Sequence, residues 1–132
     1  MKVKSFFTLI ELVIVIVIIG VLATIAFPKI TQAYRVGNES SAQASLKIIS
    51  AAIENYVATT SNYPAAEANL TGANPAYLNR SYCGLSIQGY HYNCNFQSNG
   101  YSINAAPVSC GSSGSQKFTI TTGGAATASG CP

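Results

Sequence analysis

An uninterrupted apolar run near the N-terminus constrains this chain more than any other feature. No charged residue occurs between Leu12 and Phe27, and the wider segment from Phe6 to Phe27 covers 22 residues. At about 1.5 Å per helical residue this segment is about 33 Å long, enough to cross a bilayer core of about 30 Å. In lipid, a single segment satisfies its backbone N–H and C=O groups only as a helix, so we expect a membrane-spanning helix. A cleaved secretory signal peptide is the alternative.

Glu11 is the one charged residue inside this apolar segment. A carboxylate in a membrane helix costs roughly 2.5–3.5 kcal/mol, so a partner for it is expected. The alternative is that Glu11, about one turn from the basic start of the chain, reaches back to water at the membrane surface. The residue pattern alone leaves both interpretations open.

The helical pattern continues beyond the apolar run but becomes amphipathic. Pro28 has no N–H for the carbonyl of Thr24, so a kink is expected there. Apolar residues then recur at steps of three and four among charged residues, and Asn62 to Pro64 should end the helix. The chain is therefore divided into a basic leader carrying Lys2 and Lys4 (1–6), an apolar transmembrane helix (7–28), an amphipathic half of the same helix (29–60) and a disulfide-bonded domain of loops and antiparallel sheet (61–132).

Alternating residues in the tail predict an antiparallel sheet. Three strands are expected from this period of two, at 90–96, 101–105 and 118–122, the last stopped by Gly123-Gly124. Asn99-Gly100 is a strong hairpin signal between the first two. The apolar face of such a sheet needs a cover, which the amphipathic half-helix can supply. The predicted fold class is α+β, a long N-terminal α-helix packed on a small antiparallel sheet.

Four cysteines fall in the last 50 residues, which favours disulfides formed in an oxidising compartment. Four cysteines allow three pairings. We expect Cys83–Cys94, which closes a short loop into the first strand, and Cys110–Cys131, which ties the C-terminus across the third. The cysteine spacings are too wide for paired metal knuckles and the chain has one histidine, so no metal site is predicted.

Neither an enzyme nor a nucleic-acid-binding protein is predicted. The net charge of +3 is too weak to argue for a nucleic-acid partner. His91 alternates with Tyr90 and Tyr92 and should face solvent, and the sequence suggests no base or nucleophile to accompany it. No catalytic residue and no cofactor are therefore assigned. A signal-anchored enzyme or binding module is the weakest of the function classes considered.

The segment FTLIELVIVIVIIGVLATIAFP, from Phe7 to Pro28, resembles the N-terminal signature of type IV pilins and of the related type II secretion pseudopilins. The resemblance combines a basic leader, Phe-Thr-Leu-Ile-Glu, an uncharged run, a glycine and a proline in fixed register. It implies that a prepilin peptidase cuts before the Phe and that the new N-terminus is methylated. Subunits of this family wait in the inner membrane and are then extracted into a helical filament with these helices at its core.

The resemblance also implies roles for individual residues. Glu11 would pair with the amine of Phe7 in an adjacent subunit and so set the register between neighbours. Helix between Gly20 and Pro28 would melt or bend in the filament, although glycine and proline are also simply commoner in membrane helices.

The cleavage site departs from the family, which usually has Gly where this chain has Phe6. We expect cleavage and N-methylation at Phe7, because this cut keeps Glu11 fifth in the mature chain. A cut between Ser5 and Phe6, or no cut at all, are the alternatives.

The expected function is a structural subunit that polymerises through its N-terminal helix into an extracellular type IV pilus filament. Its expected partners are other copies of itself, the prepilin peptidase, the pilus assembly machinery and, before assembly, the inner membrane. A pseudopilin of a type II secretion system, or a minor or competence pilin, is the alternative. Major pseudopilins resemble one another in a calcium site of acidic side chains in the C-terminal loop, whereas this chain has no Asp and no Glu after Glu67.

Overall fold

A computed structural model describes residues 6–131 of the chain, so Lys2 and Lys4 of the expected leader lie outside the described residues. The chain divides into two compact units, with the boundary between Ala33 and Tyr34. The elements in chain order are α1 (Leu9–Thr60), α2 (Ala68–Thr71), β1 (Ser86–Ile87), β2 (Tyr90–Gln97), β3 (Gly100–Pro107), β4 (Gln116–Thr121), a 3₁₀ turn (Thr122–Gly124) and β5 (Ala125–Gly130).

Helix α1 begins at Leu9 rather than at Phe7, the start expected from the sequence. It continues through Pro28 and ends at Thr60, immediately before Ser61, whose φ of 59° is left-handed. A left-handed residue cannot continue a right-handed helix, so the chain turns away there.

The second unit contains one antiparallel sheet with the strand order β1-β2-β3-β4-β5. The hairpin predicted from Asn99-Gly100 joins β2 to β3, but its two-residue turn is Ser98-Asn99, and Gly100 is the first residue of β3, paired with Gln97. A side chain at Gly100 would collide with the Thr122 side chain, so only glycine fits this close approach.

The sheet has five strands where the sequence predicted three. Gly123-Gly124 was expected to end the sheet, but their φ values of 83° and 81° form a tight turn instead. The chain then returns as β5, which pairs antiparallel with β4 from Thr121↔Ala125 to Gln116↔Gly130. The sequence AATASG of β5 has few of the β-branched and aromatic residues that mark strands, and β1 is only two residues long.

The core of the second unit lies between the second half of α1 and the sheet, so the predicted α+β architecture is confirmed. Buried helix residues recur at three- and four-residue steps, and buried strand residues alternate, as expected for one covered face of each. The main helix contributors are Ala42, Leu46, Ile49, Ala52 and Ile53, and those from β2, β3 and β4 are Tyr90, Tyr92, Tyr101, Ile103, Ala105, Phe118 and Ile120.

Candidate functional site

The apolar segment of the first unit is exposed around its whole circumference. The large apolar side chains from Phe6 to Phe27 range from 44% exposed at Val13 to 84% exposed at Phe7. The helix is long and apolar enough to cross a membrane, and none of its most apolar stretch is buried. A helix that is apolar on every side needs lipid or other protein around it.

Thr8 and Glu11 form a reciprocal cap at the start of α1. The Glu11 backbone N–H donates to Thr8 Oγ1 at 3.1 Å, and the Thr8 backbone N–H donates to Glu11 Oε2 at 3.5 Å. This Thr-x-x-Glu arrangement satisfies backbone donors that the first turn leaves without helical partners. It accounts for the start of the helix at Leu9 and gives Glu11 a local partner within its own chain.

The expected cleavage site lies outside this cap. Phe6 and Phe7 precede α1, are non-helical, and are 80% and 84% exposed. The peptide bond between them is therefore not held in helical hydrogen bonding. In the uncut chain the nitrogen of Phe7 is an amide, so the pairing expected between its amine and Glu11 remains a prediction.

Gly20 and Pro28 both lie within continuous helix. A Cβ added at Gly20 would meet no atom within 4 Å, so packing inside the chain does not require glycine there. Near Pro28, the Thr31 hydroxyl donates to the Pro28 carbonyl at 2.9 Å and lies 3.4 Å from that of Phe27. The expected bending or melting between Gly20 and Pro28 stays a prediction.

Carboxylates in the second unit fasten helix and loops through backbone N–H groups. Glu39 accepts from the Ser115 N–H at 2.8 Å and from its hydroxyl at 2.7 Å. Glu54 accepts from the Gly123 N–H at 3.0 Å and from the Tyr101 hydroxyl at 2.9 Å. The two bonds from Ser115, helped by the nearby Arg35, hold the pKa of Glu39 below its usual value. Charge-assisted bonds of this kind are stronger than neutral ones.

Both disulfides have the pairing predicted from the sequence, Cys83–Cys94 and Cys110–Cys131. Oxygen of Glu67 and both sulfurs of the first pair lie within 4.8 Å of one another, a grouping that resembles three metal ligands. The sulfurs are bonded to each other, however, and the carboxylate of Glu67 accepts hydrogen bonds from Ser81, Tyr82 and Cys83. The carboxylate of Glu67 and the two sulfurs therefore already have structural roles.

The tyrosines of the second unit serve chiefly in packing. Tyr82 and Tyr92 meet edge to face with ring centroids 5.7 Å apart, and Tyr90 packs near Phe118 at 6.0 Å. Burial raises the pKa of Tyr90 to about 12, and its hydroxyl donates to the Gln116 carbonyl at 2.7 Å. His91 is exposed, as expected, and its Nδ1 lies 3.1 Å from Ser86 Oγ.

Comparison with protein-family models and with curated proteins found no match to this chain. The type IV pilin family therefore remains an expectation that rests on the motif from Phe7 to Pro28.

Sequence reasoning missed the role of Thr8 as a helix cap, although the Thr-x-x-Glu spacing ahead of an apolar run was a usable signal. It also missed the hydrogen bonds of Glu39, Glu54 and Glu67. Their partners are 76, 69 and about 15 residues away in the chain, and no local pattern announces contacts at such separations.

Proposed function

We propose that this chain is a structural subunit, a type IV pilin, that polymerises through its N-terminal helix into an extracellular pilus filament. The observation that carries the proposal is the apolar segment from Phe6 to Phe27, exposed on every side and carrying the single carboxylate of Glu11. In the membrane, lipid covers this surface before assembly. In the filament, the same segments of neighbouring copies cover one another.

The carboxylate of Glu11 supplies the specificity that apolar contact lacks. Apolar side chains attract one another at many registers, whereas one charge pair in a low-dielectric core has one good position. After cleavage, the ammonium group of Phe7 in a neighbouring copy is the proposed partner. The local bond from the Thr8 N–H is 3.5 Å long, which is at the limit for a hydrogen bond, so exchanging it costs little.

A sheet domain with two disulfides suits the outside of such a filament. The second unit buries its own core without the first, and both disulfides resist unfolding in an oxidising environment. Inner-membrane residence as a precursor, followed by display on the cell surface, is the corresponding location.

The pseudopilin of a type II secretion system is the second candidate, because it has the same kind of N-terminal segment. The hydrogen bonding of the carboxylates in the second unit favours the pilin. Both oxygens of Glu67, and the Oε1 atoms of Glu39 and Glu54, already accept hydrogen bonds, and no Asp or Glu follows Glu67 in the sequence to offer a hard cation such as calcium a ligand in the C-terminal loop.

The deciding experiment shears surface filaments from cells that express the chain at its native level and measures the intact mass of the subunit. The pilin proposal expects abundant filaments whose subunit begins at a methylated Phe7. A start at Phe6 would move the cleavage site, and a start at Met1 in an assembled fibre would overturn the pairing proposed for Glu11. Absence of filaments together with loss of protein secretion on deletion would favour the pseudopilin.

A further inference from the structure

The hydrogen bonds of Glu67 lead to an inference that is independent of pilus assembly. Glu67 precedes the short helix α2 and lies far from any strand in sequence. Its Oε2 accepts from the Cys83 backbone N–H at 2.6 Å, and both oxygens lie 3.1 Å from the Tyr82 N–H. The Ser81 hydroxyl also donates to Oε1. One carboxylate thus holds three consecutive residues that end at a cysteine.

The other cysteine of the pair is fixed by different means. Cys94 lies in the middle of β2, where it pairs with Ile103 of β3. Two further backbone bonds align the segment after Cys83 with β2, from Gly84 N–H to the Tyr92 carbonyl at 2.8 Å and from Tyr92 N–H to the Leu85 carbonyl at 3.0 Å. The Cα atoms of Cys83 and Cys94 are 5.4 Å apart, within the usual range for a disulfide.

We propose that Glu67 is a positioning residue that selects Cys94 as the partner of Cys83 when the disulfides form. None of the hydrogen bonds described requires the sulfur–sulfur bond, so they can hold Cys83 opposite Cys94 while both are thiols. Without Glu67, the Tyr82 ring still packs on Tyr92, but the backbone of Tyr82 and Cys83 loses the carboxylate that fixes it, so Cys83 reaches the other cysteines more often. Four cysteines permit three pairings, and this contact favours one of them.

The second disulfide provides an internal reference because other residues hold it. The loop between Cys110 and Cys131 is fastened to α1 through Glu39, which accepts from Ser115, and through Asn38, which donates to the Ser113 carbonyl at 3.0 Å. A change at Glu67 should therefore affect the first pair directly and the second pair only through molecules in which Cys83 has taken a wrong partner.

The oxidation itself is ordinary thiol–disulfide exchange with an oxidant that carries a disulfide, such as oxidised glutathione. One chain thiolate attacks the oxidant, forms a mixed disulfide and releases one glutathione thiolate, which takes up a proton. The second chain thiolate then attacks the chain sulfur of that mixed disulfide and releases the second glutathione. The chain loses two electrons and two protons, which end on the two glutathione thiols. Glu67 aligns the sulfurs and takes part in no bond change, because its oxygens are occupied by hydrogen-bond donors.

The test uses the full-length chain in detergent micelles, reduced and then re-oxidised in a glutathione buffer. Samples are alkylated at intervals and their disulfides mapped without reduction. Glu67→Gln keeps the side-chain size but replaces one accepting oxygen with an NH₂ group, so it cannot accept from both Ser81 and Cys83. We expect Cys83–Cys94 to close about tenfold more slowly, the factor that one charge-assisted hydrogen bond can supply, with Cys83 appearing in links to Cys110 or Cys131.

Glu54→Gln is the matched control for Cys83–Cys94, since Glu54 also accepts a backbone N–H, from Gly123 within the Cys110–Cys131 loop, but no bond described joins it to the segment from Ser81 to Cys94. Its Cys83–Cys94 bond should close at the rate seen in the unchanged chain. A second measurement places Glu67→Gln in a chain that also carries Cys110→Ser and Cys131→Ser, where mispairing within the chain is impossible. There we expect Glu67→Gln to lower the equilibrium constant for forming Cys83–Cys94 in the glutathione buffer by a similar factor. Unchanged rate, pairing and equilibrium in Glu67→Gln would overturn the proposal, as would equal slowing of both disulfides.

Discussion

The two units of this chain use similar apolar residues along one helix in opposite ways. Ile16, in the first unit, is 58% exposed, whereas Ile49, in the second, is fully buried against the sheet. In the first unit every side of the helix is apolar, and in the second only one stripe is. A single stripe can be covered by the chain's own sheet, while an apolar circumference can be covered only from outside the chain.

The acidic residues differ between the units in the same sense. Glu39 and Glu54 accept short hydrogen bonds from residues far away in sequence, whereas Glu11 accepts a 3.5 Å bond from Thr8, three residues away. Long-range contacts close the second unit on itself. The local contact in the first unit leaves its carboxylate available for exchange, which is what an assembly residue needs.

The largest expected effect comes from removing residues 1–28. The remaining chain should be soluble and folded, because among the described residues its apolar core begins at Ala42, and it should enter neither membranes nor filaments. Circular dichroism and disulfide mapping of the fragment test this prediction. An insoluble or unfolded fragment with both disulfides formed would show that the sheet domain depends on contacts between subunits.

Glu11→Val removes the carboxylate proposed to pair with Phe7 of a neighbouring copy, so the variant alone should form no filaments. Its membrane insertion should stay intact, because the change removes a cost of roughly 2.5–3.5 kcal/mol in lipid. Supplying unchanged subunits should rescue its incorporation. Cell fractionation and counts of sheared filaments measure the two effects.

Thr8→Val is the matched control for Glu11→Val, since it breaks the same helix cap but keeps the carboxylate. It should cost about 1 kcal/mol of local helix stability and still permit filaments. Normal filaments from Glu11→Val alone would refute the assembly role, and loss of filaments in both variants would assign the effect to the cap.

Ile49→Ala and Ile16→Ala make the contrast between the units quantitative. Truncating Ile49 leaves a cavity in a packed core and should lower the free energy of unfolding by about 2–5 kcal/mol. The same truncation at Ile16 should leave the unfolding of the sheet domain unchanged, since Ile16 has no part in that core. Denaturant unfolding of the full chain in detergent, followed by tyrosine fluorescence, measures both. Equal destabilisation would mean that the two units do not bury their residues independently.

Replacing Cys110 and Cys131 with serine should lower the free energy of unfolding by about 3 kcal/mol, the chain-entropy value for a loop of this length. The bond joins residues 21 apart and ties the end of the chain back to the segment before β4. Comparison of unfolding midpoints with the unchanged chain measures the loss, and an unchanged midpoint would mean that the contacts of Glu39 and Asn38 hold the loop by themselves.

The elements with a clear period were predictable from the sequence, and those without one were not. The apolar run and the alternation of aromatic and polar residues from Tyr90 determine local structure through side-chain spacing. Asn99-Gly100 predicted the hairpin between β2 and β3, although the two turn residues are Ser98-Asn99. Strand β5 was missed because Ala125–Gly130 is exposed along its length and carries only small residues. It forms because the double-glycine turn returns the chain to β4, a tertiary effect with weak local signal.

The candidate site divides in the same way. Glu11 stood out because a charge interrupts an apolar run, and the motif around it suggested an assembly role. Its hydrogen bonding with Thr8 follows from a spacing of three residues and could have been read in advance. The role of Glu67 could not be predicted from the sequence, because its partners are brought to it only when the loop after α2 packs beside β2.

The smallest expected effect is the pH dependence of the Glu39 contact, which belongs to the second unit. The hydrogen bonds from Ser115 hold the pKa of Glu39 below the ordinary value of 4.5. A carboxyl whose pKa is lower in the folded than in the unfolded chain adds stability above the unfolded value, and loses it as the pH falls through the folded value. The effect should be small because Glu39 is only partly buried, so solvent weakens the interaction.

Comparing the unchanged chain with Glu39→Gln isolates this contribution. Their difference in unfolding free energy should be largest above the ordinary pKa of 4.5 and should shrink as the pH falls through the lower pKa of the folded chain. Amide hydrogen exchange at Ser115 should follow the same curve, since that N–H is the donor. A difference that stays constant with pH would show that the Glu39 side chain stabilises the loop through its shape and not through its charge.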